Sequence, residues 1–263
     1  MMSHNDALDQ LSAHASDSYN NSVYNDDSQL SAILSRGARE LGVSLSDYAL
    51  GAFETYCSFL SERNRSVNLT AISGVEDVAR LHFLDSIALL NACSFTDKQV
   101  IDIGSGAGFP GLPLKITEPS IKLTMLDATG KRVDFLSDLC GLLQLDAICL
   151  HARAEEAAHN QDLRESYDIV LSRAVAGLNV LCEICLPFTR PGGLFIAMKS
   201  AKSDDELVAS LNAIATLGGT PGGCFDYEIP ETGIIHRAVI IHKTAHTLEI
   251  YPRRFAKIQK SPL

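Results

Sequence analysis

Residues 98–111, Lys-Gln-Val-Ile-Asp-Ile-Gly-Ser-Gly-Ala-Gly-Phe-Pro-Gly, constrain this chain more than any other stretch. Val100, Ile101 and Ile103 make a short apolar run of β-branched side chains, the pattern of a buried parallel strand. Glycines at 104, 106 and 108 then end the run. They let the backbone turn tightly off a strand and bring its amides close to a ligand before a helix begins. Leu112, Leu114, Lys115 and Ile116 belong to that helix. The segment reads as strand, ligand loop, helix.

The loop alone leaves the ligand open. A dinucleotide fingerprint has Gly-x-Gly-x-x-Gly directly after a strand. Counted from Gly104 it fails, because Phe109 takes the third glycine's place. Counted from Gly106 it fits with Gly108 and Gly111, but Pro110 then falls inside the turn. The pattern Asp102-x-Gly104-x-Gly106-x-Gly108 needs no adjustment, and it resembles the first motif of class I S-adenosylmethionine-dependent methyltransferases. In that family the acid at the strand end helps to hold the amino-acid part of the cofactor. Asp127 closes the next apolar run, where a carboxylate can accept from both ribose hydroxyls of a nucleoside. That suits NAD and S-adenosylmethionine alike.

From about residue 99 the elements alternate. Further strands are predicted over 121–126, 147–150, 167–171 and 194–198, the last after the turn Pro191-Gly192-Gly193. Helices are expected over 131–143, 178–187 and 203–217, and two closing strands over 224–229 and 234–242 meet near Gly233. Such alternation implies a parallel sheet covered on both faces, and a closing antiparallel hairpin is what the class I methyltransferase fold carries. The expected fold is therefore α/β: a Rossmann-like, mostly parallel seven-stranded sheet with an antiparallel C-terminal hairpin. The chain divides into a disordered acidic tail (1–27), a helical segment packed on the catalytic domain (28–96), the Rossmann-like domain (97–245) and a basic tail (246–263). The first of these has too little apolar surface to offset its chain entropy.

Loops at the carboxyl edge of such a sheet carry the chemistry. His151-Ala152-Arg153-Ala154-Glu155-Glu156 follows the third strand, where backbone groups of Ala154 and Glu155 can read an adenine, or simply start a solvated helix. Ser172-Arg173-Ala174 follows the fourth; a cation there needs an anionic or carbonyl partner, such as a cofactor carboxylate or the O6 edge of a guanine. Lys199 is a second cation on that edge. His82 and Asp85 lie one helical turn apart, as a proton-transfer pair or as a structural contact to the cofactor domain. Cys182-Glu183-Ile184-Cys185 is half a zinc site at most and sits in an apolar helix, so it is assigned to core packing and no metal is expected.

The net charge of −10 argues against a generic coat of nucleic acid. The first thirty residues contain no Lys or Arg, however, while Arg253, Arg254, Lys257 and Lys260 crowd the last thirteen without an acid. That asymmetry leaves room for one specific RNA contact. Seven scattered cysteines, no basic-then-apolar leader and no membrane-length apolar run suggest a cytoplasmic protein.

With these residues laid out, the chain resembles the RsmG (GidB) family, the 16S ribosomal RNA guanine-N7 methyltransferases. The resemblance rests on Asn68-Leu69-Thr70-Ala71, His82-Phe83-Leu84-Asp85-Ser86, the stretch 102–113, Leu126-Asp127-Ala128 with Gly130-Lys131-Arg132-Val133, Arg153-Ala154-Glu155-Glu156 and Ser172-Arg173-Ala174, in family order and spacing. Tyr251-Pro252-Arg253-Arg254 also resembles family members. What this implies is S-adenosylmethionine as cofactor, 16S rRNA in the small ribosomal subunit as partner, and methylation at N7 of guanine 527 in the 530 loop. By motif position, Gly104, Phe109, Ala154, Glu155 and Arg173 fall at the cofactor; Gly106, Gly108 and Asp127 join them from the loop pattern. No catalytic base is assigned, and Phe109 and Arg173 are candidates to stack the guanine. A monomer is favoured. The alternative is an NAD(P)-dependent oxidoreductase in the Gly106 register.

Overall fold

The computed structural model describes residues 29–173 and 176–263, so the acidic segment 1–27 and Ala174 of the Ser-Arg-Ala motif lie outside the described residues. A helical layer comes first. α1 (residues 29–40) buries Leu30, Ile33 and Leu34. α2 (Asp47–Val67) starts where the Ser46 hydroxyl accepts from the Ala49 amide, and its steps of three and four turn Phe53, Tyr56 and Leu60 inward. It ends on Asn68 at φ 53°, a left-handed cap. The next segment opens as α3 (Val75–Val78), widens into a π turn over Ala79–Leu84, returns to α geometry in α4 (Asp85–Ile87) and tightens to a 3-10 turn over Ala88–Asn91.

The alternating part follows: β1 (Gln99–Ile103), α5 (Gly111–Thr117), β2 (Lys122–Asp127), α6 (Gly130–Leu143), β3 (Ala147–His151), α7 (Ala154–Ala157), β4 (Tyr167–Arg173), α8 (Leu178–Cys185), β5 (Thr189–Ser200), α9 (Asp204–Ala209), α10 (Leu211–Thr216), β6 (Gly219–Ile229), β7 (Ile234–Lys243) and α11 (Phe255–Lys260). The strands form one sheet in the order β3-β2-β1-β4-β5-β7-β6, in which β7 runs antiparallel to both neighbours. Strand order advances one way from β1 and the other way from β4, so the crevice at their carboxyl ends is the switch point. Strand residues alternate between two cores: Val100, Ile169 and Leu171 face the helical layer, whereas Ile101, Ile103 and Val170 face α8, α10 and α11.

Three details differ from the sequence reading. The helix expected over 203–217 is two, α9 and α10, meeting at Ser210, whose hydroxyl donates to the Glu206 carbonyl. β5 begins at Thr189 and carries the Pro191-Gly192-Gly193 turn inside it, with a register shift opposite Tyr167 and Ile169. The C-terminal residues are docked. Ile258 of α11 is fully buried, and the Arg164 guanidinium donates to the carbonyls of Thr247 and Tyr251.

Candidate functional site

The glycine loop hangs from the end of β2. Gly104 and Ser105 donate their amides to the Leu126 carbonyl (2.8 and 3.2 Å), and Gly106 donates to Asp127 Oδ2 (3.0 Å). Asp127 Oδ1 accepts from the Thr129 amide (2.8 Å), and Arg132 Nη1 lies 3.6 Å from Oδ2. Gly104 and Gly106 hold φ of 74° and 58°, which glycine adopts without strain. A cleft of about 460 Å³ results, walled by residues 104–107, Asp127 and Arg132 on one side and by Leu69, Thr70, His82 and Arg173 on the other. Asp127 spends two of its roughly four acceptor positions on loop amides and keeps the rest.

Across the cleft stands a network built around Arg173, the last residue of β4. Its Nη1 pairs with Asp85 Oδ2 (3.0 Å), and its Nη2 donates to the Leu81 carbonyl (2.8 Å) and to His82 Nδ1 (3.0 Å). The π turn makes the carbonyl contact possible. In an α-helix Leu81 would accept from the Asp85 amide, but that amide goes to Arg80 and His82. Asp85, wholly buried, also accepts from the Tyr227 hydroxyl and from His236 Nδ1 (both 2.8 Å), which ties the β6–β7 hairpin to the helical layer. His82 stacks on Phe109 with centroids 4.2 Å apart. Burial, and then the Arg173 charge, lower the His82 pKa to about 4, so the ring is neutral at physiological pH.

Of the residues singled out beforehand, Gly104, Gly106, Phe109, Asp127 and Arg173 line one cleft. Gly108 does not. Its α-carbon faces inward, and a Cβ there would come within 2.6 Å of the Tyr56 hydroxyl and 2.7 Å of Leu112. Ala154 and Glu155 open α7 beside the Asp127 strand end, but Glu155 borders a neighbouring groove instead and Ala154 is buried in the core on the α8 side. Asp102 lies beneath the loop, where its Oδ2 caps the Gly111 amide (3.0 Å) and burial pushes its carboxyl up to about 7. The Phe109 ring lies near-parallel to both His82 and Tyr56 (5.4 Å) and is buried, so it is packed into the cleft wall. Lys199 turns away to Glu206 (2.8 Å) and the Ala176 carbonyl. Cys182 and Cys185 are core thiols pushed up by burial. Sequence reasoning missed Thr70 and the hairpin pair Tyr227 and His236; only the Asn-Leu-Thr triplet held a signal for the first.

The Gly106 dinucleotide register is disfavoured on the same geometry. Its second glycine, Gly108, points into the core, and its third, Gly111, is held against Asp102 and Leu123 beneath the loop. The sheet order, the reversed β7 and a nucleoside-sized cleft at the switch point define a class I S-adenosylmethionine-dependent methyltransferase fold. TrmN from Thermus thermophilus shares that fold, with a TM-score of 0.50 at 19% identity over 68% of this chain and 53% of its own.

The sequence comparisons are narrower. The family GidB, rRNA small subunit methyltransferase G, matches residues 49–222. A protein called ribosomal RNA small subunit methyltransferase G from Pelotomaculum thermopropionicum is 43% identical over 90% of this chain and 100% of its own length. One of the same name from Clostridium botulinum is 41% identical over 88% and 98%. The chain belongs to the rRNA small subunit methyltransferase G family.

Proposed function

We propose that this protein transfers the methyl group of S-adenosylmethionine to N7 of a guanine in small-subunit rRNA, guanine 527 of the 530 loop. The lining fits that cofactor: a loop whose left-handed glycines 104 and 106 let a ligand lie close to the backbone, a strand-end carboxylate with acceptor capacity left for ribose hydroxyls, and a fixed guanidinium opposite. Gly104, Gly106, Asp127 and Arg173 would hold it. When bound, it supplies an electrophilic methyl on a sulfonium.

N7 of guanine carries an in-plane lone pair and no proton at neutral pH, so no base has to remove one. The protein's task is alignment and tolerance of a purine that becomes cationic. The single observation that carries this reading is the state of His82 and Arg173. Arg173 is anchored by Asp85 and Leu81, and His82 is neutral with its Nδ1 already accepting. Neither is poised as a general base, which suits an acceptor that needs none.

The test is to incubate purified small subunits with the protein and labelled S-adenosylmethionine, then map the product by borohydride–aniline cleavage and mass spectrometry. One methyl on N7 of a single guanine is expected. A methyl on carbon, ribose or an exocyclic amine would overturn the proposal.

A further inference from the structure

Thr70 sits where the cofactor cleft meets a second groove, of about 750 Å³, that runs along α2 past Ser61, Asn64, Arg65 and Ser73. Its backbone is clamped from both sides. Asn64 Oδ1 accepts from the amides of Leu69 (2.7 Å) and Thr70 (2.9 Å), and Asn64 Nδ2 donates to the Thr70 carbonyl (2.9 Å). A short loop thus presents one hydroxyl in a fixed place between the groove and the cleft.

The polarity of that hydroxyl is also fixed. A guanidinium can only donate, so His82 Nδ1 must accept from Arg173. A neutral imidazole has a single acceptor nitrogen, which leaves His82 Nε2 as an N–H that donates to Thr70 Oγ1 (2.8 Å). The Ile72 amide donates to the same oxygen (3.0 Å). Two donors fill both lone pairs of Thr70 Oγ1. What the hydroxyl has left is its own proton, and no acceptor for it is present among the described residues. Thr70 is a donor and nothing else.

A purine that offers N7 to a methyl group presents position 6 next to it on the same edge. Guanine has an acceptor there, O6, and adenine a donor, the N6 amine. Resting on the proposed N7 transfer, we infer that Thr70 is a specificity-determining residue that donates to O6 of the target guanine and rejects a purine with an amine at that position. The chain Asp85–Arg173–His82–Thr70 sets the polarity of the contact, so a buried carboxylate in the helical layer acts on base choice through two positioning residues.

The test uses reconstituted small subunits with guanine, inosine or 2,6-diaminopurine at the target position. All three keep N7, and only the last lacks O6. Wild-type protein is expected to accept guanine and inosine and to lose about tenfold or more in kcat/KM on diaminopurine. Thr70→Val should lose a similar factor on guanine and none on diaminopurine, Thr70→Ser should restore the preference, and S-adenosylhomocysteine affinity should not change in either. Wild-type indifference to diaminopurine would overturn the inference even if Thr70→Val failed to fold. So would a Thr70→Val protein that keeps the base preference but binds the nucleoside weakly, since the hydroxyl would then serve the cofactor. If wild-type protein places its methyl elsewhere than N7, the product map shows it, and the proposed function fails together with the inference.

Discussion

Asp102 shows how far a single position can be read. The motif made it a cofactor ligand, yet strand alternation puts it on the same face as Val100, under α5, where it caps the Gly111 amide. Its Oδ1 has no partner among the described residues, and burial pushes the carboxyl up to about 7 from 3.8. The folded state therefore holds a proton that the unfolded chain releases. Stability from this group is complete below about pH 3.8 and is lost as pH rises through about 7. Asp102→Asn keeps an acceptor for Gly111 and cannot ionise. The wild-type minus variant difference in unfolding free energy should fall with rising pH, by at most about 1.4 kcal/mol per unit between pH 4 and 7. Urea titrations across that range check it, and a difference that is flat or climbs would mean that Asp102 is charged when folded. The pleat was legible in the residues; the resemblance drew attention away from it.

At the scale of elements, the strands were readable because β-branched runs between turn residues admit few other structures. The π turn was not, since it exists to free the Leu81 carbonyl for an arginine that lies 92 residues further on. α11 was hidden for a related reason. Its charges marked only a basic tail, but Glu183 lies fully buried in the apolar α8 and requires a partner, which Arg253 supplies through Nε (2.7 Å) and Nη2 (2.6 Å). Arg253→Ala should lower the unfolding free energy by about 3–5 kcal/mol by leaving that carboxylate buried and unpaired. Adding Glu183→Leu to Arg253→Ala should recover much of the loss. Denaturant midpoints for the single and double variants decide the matter, and a loss under about 1 kcal/mol in the single variant would mean that α11 does not depend on the pair.

For the whole molecule the question is how a chain of net charge −10 approaches RNA. The carboxyl edge of the sheet supplies an answer that the overall charge conceals. Arg153 and Arg254 border the groove of about 590 Å³ beside Glu155, and Arg254, Lys257 and Lys260 are all exposed on the docked C-terminal segment. Removing residues 251–263 would test this poorly, because Arg253 and Ile258 would go with them and the α8 face would open. Replacing Arg254, Lys257 and Lys260 together by alanine leaves the buried contacts intact. Affinity for small-subunit RNA should weaken most at low salt, and the slope of log Kd against log salt should flatten by about 2, near 0.7 per lost phosphate contact on single-stranded RNA. Melting temperature and S-adenosylhomocysteine affinity should stay at wild-type values, since none of the three side chains reaches the cleft. An unaltered slope would place the RNA on another face, with the groove along α2 and its Arg65 as the surface to mutate next.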